Sequence, residues 1–572
     1  MRAYLRLALL FSPALALLGV GGWYVLAHLR DPLPPDALRA GGRLVVVVVF
    51  DQMRGDYLTR WPGLFEQDGF EKLKREGVWY SDARLPYACT STGPGHAGIG
   101  SGATPGAHGI VENSWYDRRT GRTAYCVADD RTSRIPRPAV GTAEAGGLSP
   151  DRLLVPGIAA HLKALEGDNA RAFSFSLKDR AAVLMAGKCK SAGVYCFDSA
   201  VGKFHTSSYY RTELPRWVEA FNKSGDASPA DGWFHRKWDR LLPADRYAGA
   251  DDVEAEGRGT NGMGNTFPHP LKGKLTSPAQ RYYDAVETSP FGNDLLWDFA
   301  KACLTAENLG RRGSKDLLYL SFSSNDKVGH SWGPDSHEVQ DMTARSDRLM
   351  ADIVRHLDGT VGRDNYTLVV TADHGVCPLP ERTPGAERFE PLKAIEQLGE
   401  ALDHTFGPLD GMPAAPWVRK VEYPDLYLND VAMGEAGKPR DDVARFAAEW
   451  IGYRPHMLTA FARPQLAGPP LADPLARLVQ LGWHPDRSGD VVLIHKPYLL
   501  PGKNDFRTNT AGHGSPHDYD THVPLMAFGA GVPLRGERPE PTNSLSLAAV
   551  VCQALGIDPP PEATAPLPAG WE

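Results

Sequence analysis

The stretch LVVVVVFD, residues 44–51, is an unbroken apolar run that ends in an aspartate. A continuous rather than alternating apolar run predicts a strand buried on both faces, as in a parallel sheet covered by helices. Four similar runs follow along the chain: Ala172–Leu177, Leu317–Phe322, Thr367–Thr371 and Val523–Phe528. We therefore predict an α/β fold with a mostly parallel central sheet, helices on both faces and insertions that cap the sheet.

Ionisable side chains stand where four of these runs end. They are Asp51 after the first run, Lys178 and Arg180 after the second, Asp326 and His330 after the third, and Asp373 and His374 after the fourth. In open α/β sheets, ligands bind in the crevice beyond the carboxyl ends of the strands. We therefore expect these groups to form one site assembled from distant parts of the chain.

The aspartates and histidines among these groups, together with His513 in AGHGSPHDYDTH (511–522), form a metal-ligand set without cysteine. Such nitrogen and oxygen ligands suit zinc, manganese or iron. Asp326 and His330 are one helical turn apart and can share a helix face. Asp373 and His374 are adjacent and need a tight turn, which Gly375 would permit. A lone Asp-His pair is more often structural, and we expect only structural roles for the other histidines considered: His96, His108, His337, His517 and His522.

The number of ligands predicts two metals rather than one. A catalytic zinc commonly has about three protein ligands and an open position, whereas six groups are available here. Two metals about 3.5–4 Å apart can hold the attacking and leaving oxygens of an in-line displacement at phosphorus. The pattern therefore favours phosphoryl transfer.

The stretch TSTGPGHAGIGSGATPGAHG, residues 90–109, contains a G-x-G-x-x-G match at Gly93–Gly98. A dinucleotide-binding fingerprint needs a strand directly before the first glycine, and the preceding PYACTST is polar. We interpret the match as fortuitous and Thr92 as a nucleophile whose metal-activated hydroxyl attacks phosphorus, with Ser91 as a rival hydroxyl. A helix beginning near Gly95–Gly98 would point its positive end at the anion.

Six segments together resemble the alkaline phosphatase superfamily, in particular the single-chain bacterial alkaline phosphatases with a threonine nucleophile (the PafA type). They are VFDQMRGDYL (49–58), TSTGPGHAGIGSGATPGAHGIVENSWYD (90–117), SLKDRAAVLMAG (176–187), SNDKVGHSWGPDS (324–336), TADHG (371–375) and GHGSPHDYDTHVPL (512–525). They follow the order found in the superfamily, which also includes type I phosphodiesterases and nucleotide pyrophosphatases. The resemblance implies an alkaline-phosphatase-like fold.

The resemblance also implies a role for each site residue. One zinc would be held by Asp51, Thr92, Asp373 and His374, and a second by Asp326, His330 and His513. Asn113 would donate a hydrogen bond to a phosphoryl oxygen, and Lys178 and Arg180 would contact the remaining oxygens. The implied enzyme binds two Zn²⁺ per chain and hydrolyses phosphate monoesters through a covalent phosphothreonine intermediate.

The alternatives within the superfamily differ in the charge of their substrates. A monoester arrives as a dianion, and the cations Lys178 and Arg180 match that charge unless they are surface residues. A phosphodiesterase or nucleotide pyrophosphatase is the nearest alternative, and a non-catalytic phosphate-ester sensor is a more distant one. A sulfatase needs a C/S-x-P-x-R frame, which the segment beginning at Cys89 lacks, and a cytoplasmic mutase would have no export signal.

The N-terminal residues predict export. Arg2 and Arg6 flank the start of an uncharged apolar run, Leu7–Ala27, so residues 1–28 are expected to be a signal peptide or a membrane anchor. Residues 29–42 have the composition of a linker. We expect a catalytic domain over 43–558 with insertions near 181–300 and 380–510, and a Pro-rich tail over 559–572 that lies along the surface. The enzyme would be periplasmic or extracellular, either free or anchored to the inner membrane.

Composition limits the partners. The 572 residues carry a net charge of −7 and no basic run, so we expect small-molecule phosphate esters rather than nucleic acid as ligands. We expect a monomer that contacts a membrane only through an N-terminal anchor. The seven cysteines include no CxxC pair, which argues against a thiolate zinc site, and Cys189 and Cys196 are close enough to close a small loop.

Overall fold

A computed structural model describes residues 43–571 apart from 138–145, 226–227, 408–415 and 503–509. The expected signal peptide or anchor (1–28) and the linker (29–42) lie outside the described residues. Within the described part of the chain, no helix combines the length and the apolar character that a membrane span requires.

In the described part of the chain, the main sheet has eleven strands. In chain order they are β1 Leu44–Phe50, β2 Val78–Tyr80, β3 Ala128–Ile135, β4 Gly146–Leu148, β5 Arg171–Ser176, β6 Gly193–Asp198, β7 Lys203–Ser207, β8 Asp316–Phe322, β9 Tyr366–Thr371, β10 Leu525–Gly529 and β11 Gly536–Arg538. Across the sheet their order is β11-β2-β10-β9-β1-β8-β5-β6-β7-β3-β4.

The centre of this sheet is parallel. Strands β9, β1, β8, β5 and β6 pair in parallel, and β1, β5, β8 and β9 correspond to the first four predicted runs. The fifth predicted run forms β10, which pairs antiparallel with β9, and the flank from β7 to β4 is antiparallel as well. The α/β fold class is therefore confirmed. The sheet is mixed, and the sequence did not reveal this because an apolar run predicts that a strand is buried but does not fix its direction.

Strand β1 shows why the apolar run is continuous. Its side chains alternate between two hydrophobic cores, one on each face of the sheet: Val45, Val47 and Val49 in one, and Val46, Val48 and Phe50 in the other. All six are at most 1% exposed. Helices cover both faces, so neither face tolerates the polar residues that would produce an alternating pattern.

Three helices carry or adjoin site residues: α1 Thr92–Ser101, α2 Asp179–Ala186 and α3 Ser324–Trp332. The longest described helix is His337–Thr360. The other described helices are Tyr57–Arg60, Phe70–Glu76, Pro105–His108, Ile158–Glu166, Arg216–Asn222, Gln280–Glu287, Pro290–Ala306, Pro391–Phe406, Asp430–Glu435, Arg440–Gly452, Arg463–Leu466, Pro474–Gly482, Asp518–Thr521 and Leu547–Ala554.

The stretch 380–510 contains a second sheet with a core of its own. Four antiparallel strands form it, in the order Val418–Glu422, Asp425–Leu428, Val491–His495, Met457–Ala462. The helices Pro391–Phe406 and Arg440–Gly452 pack on it through buried residues such as Leu398 and Val443. This stretch is built as a separate layer added to the main sheet.

The stretch 181–300 is only partly an addition to the sheet. Its strands β6 and β7 belong to the main sheet, where β6 pairs in parallel with β5. The remainder forms helices and a short pair of strands, Lys237–Trp238 with His269–Pro270. The expectation that the whole stretch is an insertion is therefore wrong for β6 and β7.

The other described strands are Ala83–Arg84, Ser114–Asp117, Arg122–Tyr125, Glu387–Phe389, Leu499–Pro501 and Thr542–Asn543. The Pro-rich tail has no helix or strand up to residue 571, but it is anchored by Trp571, which is 1% exposed and packs in one of the two main cores. All seven cysteines are described and all are free, so the small loop considered for Cys189 and Cys196 is not closed.

Candidate active site

The predicted site residues meet at the carboxyl edge of the parallel strands. Neighbouring strands end in register there: Phe50 of β1 stands opposite Phe322 of β8, and Val49 lies beside Thr371 of β9. The residues that follow these ends are Asp51, Asp326 and Asp373, and Lys178 follows β5 in the same way. Because the strands are adjacent, residues far apart in sequence reach one place.

Thr92 is the first residue of helix α1. The helix therefore begins three residues earlier than the predicted range, and Ser91 before it is extended. The Thr92 hydroxyl oxygen lies 3.3 Å from Lys178 Nζ, 3.4 Å from Arg180 Nη2 and 3.5 Å from His374 Nε2. A buried hydroxyl at a helix N-terminus and next to two cations is well placed to meet an anion.

The rival hydroxyl of Ser91 has a different environment. Ser91 Oγ donates a hydrogen bond of 2.8 Å to Glu112 Oε2. The cations that surround Thr92 make no described hydrogen bond to Ser91. The Thr92 hydroxyl therefore has cationic neighbours, whereas the Ser91 hydroxyl faces a carboxylate.

The glycines after Thr92 serve helix packing. A Cβ atom at Gly95 would lie 2.4 Å from the carbonyl oxygen of Asp373, and one at Gly100 would lie 2.6 Å from backbone oxygens of α2. Gly95, within the G-x-G-x-x-G match, therefore lets α1 pack closely against the turn after β9, and Gly100, two residues beyond the match, lets it pack against α2. The match does not form a dinucleotide loop after a strand. At Gly375 the requirement is also space, because a Cβ there would lie 2.1 Å from Tyr519 O.

Lys178 bridges two of the carboxylates. Its ammonium nitrogen lies 2.8 Å from Asp51 Oδ2 and 2.6 Å from Asp326 Oδ2. The other oxygen of Asp326 lies 3.2 Å from His330 Nε2 and 3.7 Å from His513 Nε2. Asp326 and His330 are both on α3, one turn apart as predicted.

His374 connects the two halves of the cluster. Its Nε2 atom lies 3.3 Å from Asp373 Oδ2 and 3.7 Å from Asp51 Oδ1, and its ring stacks on that of His513 at 3.7 Å between centroids. The structure thus brings together all seven predicted metal ligands, from Asp51 to His513.

The histidines are oriented as metal ligands would be. Nδ1 of His330, His374 and His513 lies 2.7–2.9 Å from the backbone carbonyls of Ala511, Gly375 and Thr90, respectively. A carbonyl only accepts, so each Nδ1 carries the proton and each Nε2 presents a lone pair to the carboxylates. This backbone bond is the usual support of a metal-binding imidazole.

The potential ligand atoms also lie close enough together for metal ions. Those of Asp326, His374 and His513 all lie within 4.8 Å of one another, and so do those of Asp51, His96 and Asp373. Asp51 Oδ1 is buried and accepts no hydrogen bond from the described residues. The residues therefore fit bound cations and indicate a metal-dependent enzyme.

The electrostatics of the carboxylate cluster also favour bound cations. Burial, and then the neighbouring Asp373, raises the pKa of Asp51 to about 7. Burial opposes the charge of Lys178, but Asp326 and Asp51 outweigh it and raise the pKa of the lysine. Buried carboxylates at this density require positive charge nearby, which the lysine supplies only in part.

Asn113 is held with its amide available. Its Oδ1 accepts a hydrogen bond of 2.8 Å from the backbone N–H of Gly93, in the first turn of α1. The amide nitrogen is therefore free to donate to an anion beside Thr92. Arg180 lies 3.5 Å from the hydroxyl of Tyr125, which in turn donates to Asp179 at 2.5 Å.

Sequence reasoning missed two residues of the site, the buried His96 and the half-buried Glu112. His96, assigned a structural role, lies 3.1 Å from Asp373 Oδ2 through Nδ1 and 2.8 Å from Ser321 Oγ through Nε2. Its position four residues after Thr92, on the same face of α1, was the available signal. Glu112, beside Asn113, had none: it accepts from Ser91 Oγ at 2.8 Å and from the Asn113 backbone N–H at 2.7 Å.

Glu112 holds the residues on either side of the reaction centre, so its loss is expected to affect positioning. We expect Glu112→Ala to lower kcat/KM for an aryl phosphate by about tenfold through misplacement of Asn113 and Thr92. Glu112→Gln, which keeps the shape and one acceptor oxygen, should recover most of the rate. Steady-state kinetics would test this, with Glu449→Ala at an exposed position as control. Equal rates for the alanine variant and the wild type would contradict the role.

Comparison with known proteins identifies the family. Residues 45–520 match the type I phosphodiesterase / nucleotide pyrophosphatase family. The chain is 31% identical to alkaline phosphatase PafA of Elizabethkingia meningoseptica over 529 residues, covering 91% of this chain and 92% of that protein. It is 31% identical to alkaline phosphatase PhoV of Synechococcus elongatus over 507 residues, covering 86% of each.

Comparison with solved structures also shows similarity to PafA. The crystal structure of wild-type PafA superimposes with a TM-score of 0.82 at 29% identity, covering 94% of this chain and 99% of that one. A PafA variant with one threonine changed to serine, and one asparagine, lysine and arginine changed to alanine, gives the same TM-score at 28% identity.

The chain therefore belongs to the type I phosphodiesterase / nucleotide pyrophosphatase family. Within it, the chain is an enzyme of the alkaline phosphatase kind, with the PafA fold.

Proposed function

We propose that this enzyme hydrolyses phosphate monoesters through a covalent phosphothreonine at Thr92, in a site that binds two zinc ions. The observation that carries the proposal is the position of the Thr92 hydroxyl, at the N-terminus of α1 and within 3.5 Å of Lys178, Arg180 and His374. A hydroxyl close to two cations and an imidazole suits attack on an anionic ester.

The zinc ions would be held by the two predicted ligand sets. Asp51, Thr92, Asp373 and His374 form the first, and Asp326, His330 and His513 form the second. Zinc bound there would lower the pKa of the Thr92 hydroxyl and stabilise the negative charge of the leaving oxygen. His96 would orient Asp373, since their side chains are 3.1 Å apart.

The chain's own donors suit a phosphoryl dianion. Lys178 and Arg180 reach the Thr92 oxygen from one side and can donate to oxygens of a phosphoryl group attached to it. Asn113 is fixed through its carbonyl oxygen and offers its amide N–H groups. Because a diester carries one negative charge fewer, these cations favour the monoester.

The solved PafA variant supports this assignment. Its substituted threonine and asparagine are separated by as many residues as Thr92 and Asn113, and its lysine and arginine by as many as Lys178 and Arg180. The same four residue types thus recur here at the same two spacings.

The proposed cellular setting rests on the sequence. Residues 1–28 would direct export as a signal peptide or anchor, followed by a linker over 29–42. The catalytic domain would then work as a monomer on small phosphate esters in the periplasm or outside the cell.

Metal content and substrate choice test the proposal together. We expect the purified enzyme to hold two zinc ions per chain, to lose activity when a chelator removes them and to regain it with zinc. Turnover of an aryl phosphate monoester should exceed that of the matched aryl alkyl diester. Faster diester turnover would instead assign the phosphodiesterase activity for which the matched family is named, and full activity without metal would overturn the zinc site.

A further inference from the structure

A large basic pocket lies away from the carboxylate cluster, where the hairpin after Asn113 meets the 380–510 stretch. Its volume is ≈ 580 Å³. Six arginines line it: Arg118, Arg119, Arg152, Arg440, Arg463 and Arg487. Among the described residues that line it, two are aspartates, Asp117 and Asp486, so this lining carries an excess of positive charge. The described lining includes none of the residues assigned to catalysis or metal binding.

Three of these arginines share one buried carboxylate. Asp490, which is fully buried, lies 3.2 Å from Arg118, 3.4 Å from Arg440 and 3.8 Å from Arg463. Arg440 and Arg463 also reach the exposed Asp430 and Asp441, respectively. Arg118, Arg440 and Arg463 are thus held in place by carboxylates outside the described wall of the pocket, and their charge is partly neutralised.

Arg152 and Arg487 have no such partner among the described residues. No carboxylate lies within ion-pair distance of either, and both guanidinium groups lie over the ring of Trp115, at 5.9 and 5.2 Å from its centroid. Arg487 is fixed by donating to the backbone carbonyls of Gly109 and Arg152, and the buried Nε of Arg152 lacks a hydrogen-bond partner. Burial, and then the neighbouring Arg152, lowers the pKa of Arg487.

We propose that this pocket is a second anion site, separate from the active site, that binds a multiply charged phosphoryl anion such as a diphosphate. Guanidinium groups recognise phosphate oxygens through paired N–H donors, and two held side by side without a carboxylate gain most from a ligand with several charges. The volume exceeds that of one phosphate group and accommodates a diphosphate.

The proposed anion site contacts the segment that carries Asn113 of the candidate active site. Trp115, under the two arginines, lies on the strand Ser114–Asp117, which directly follows Asn113. Arg487 binds the carbonyl of Gly109, the residue that ends the helix Pro105–His108. An anion that draws Arg487 toward it therefore acts on the segment that carries Asn113.

Counting anion sites tests the proposal. The metal-loaded full-length enzyme would be titrated calorimetrically with methylenediphosphonate, a diphosphate analogue whose P–C–P bridge replaces the hydrolysable P–O–P linkage. We expect two equivalents to bind the wild type, and the Arg152→Gln/Arg487→Gln variant to bind one, in the active site. Inorganic phosphate and a nucleoside monophosphate, titrated in parallel, distinguish a diphosphate from simpler phosphoryl ligands.

Two further variants of the enzyme serve as a control and as an alternative to the double variant. Arg75→Gln/Arg445→Gln removes two exposed arginines elsewhere and should retain both equivalents. If the double variant at the pocket fails to fold, Arg487→Lys keeps the charge but loses the paired donors, and should weaken the second site about tenfold or more. One equivalent for the wild type, or two unweakened equivalents for the pocket variants, would overturn the proposal.

Discussion

Replacing Thr92 with alanine is expected to lower kcat/KM for an aryl phosphate by about 10⁴-fold or more, as loss of a nucleophile does in other enzymes that form covalent intermediates. The hydroxyl is the atom that Lys178, Arg180 and His374 surround, so in the proposed mechanism it is the group that accepts the phosphoryl group. Rapid quenching with a labelled monoester, followed by mass spectrometry, should show phosphothreonine at residue 92 in the wild type and none in the variant.

Two neighbouring substitutions give this experiment its controls. Ser91→Ala should keep the phosphoenzyme, because the Ser91 hydroxyl is bound to Glu112. Thr92→Ser retains a hydroxyl and should retain part of the activity. Zinc content should be measured for each variant, so that a lost metal is not mistaken for a lost nucleophile. A phosphoserine at residue 91 would overturn the assignment.

Lys178→Ala should reduce monoester hydrolysis by about 10²- to 10³-fold, the usual cost of removing one charge-stabilising donor from a buried site. The loss for a diester should be about tenfold smaller, because one fewer negative charge needs stabilisation. Steady-state kcat/KM values for an aryl monoester and the matched diester would measure the difference.

Lys163 offers a matched control, since its ammonium pairs with the exposed Asp168 at 3.0 Å. Lys163→Ala should leave both rates unchanged. If Lys178→Ala slows both substrates equally, the lysine serves mainly to neutralise Asp51 and Asp326 and does not select the monoester.

The parallel core of the fold could be predicted because strands buried on both faces have continuous apolar sequences. The five valines of β1 divide between two cores, and no polar residue interrupts them. Strands β6 and β7 were not predicted because their sequences, GVYCFD and KFHTS, mix polar with apolar residues. The direction of the strands at the flanks is set by the chain connections and leaves no residue pattern.

The site residues could be predicted where a residue type that binds metal or phosphate also follows a buried strand. An aspartate or histidine directly after a buried strand, as at Asp51 or Asp373, marks the edge where ligands bind. Neither Glu112 nor His96 follows a strand: His96 was marked only by its spacing of four residues from Thr92, and Glu112 matters through tertiary contacts to Ser91 and Asn113. Hydrogen-bond partners that support a site have no fixed spacing from the groups they orient.

The bond between His513 Nδ1 and the carbonyl of Thr90 has a consequence for how the enzyme tolerates motion. That carbonyl lies two residues before Thr92, so the His513 imidazole and the Thr92 hydroxyl are tethered to the same short piece of backbone. In the proposed mechanism, a shift of this piece would move the ligand of the second metal and the attacking oxygen together, although the two residues are more than 400 positions apart in the sequence.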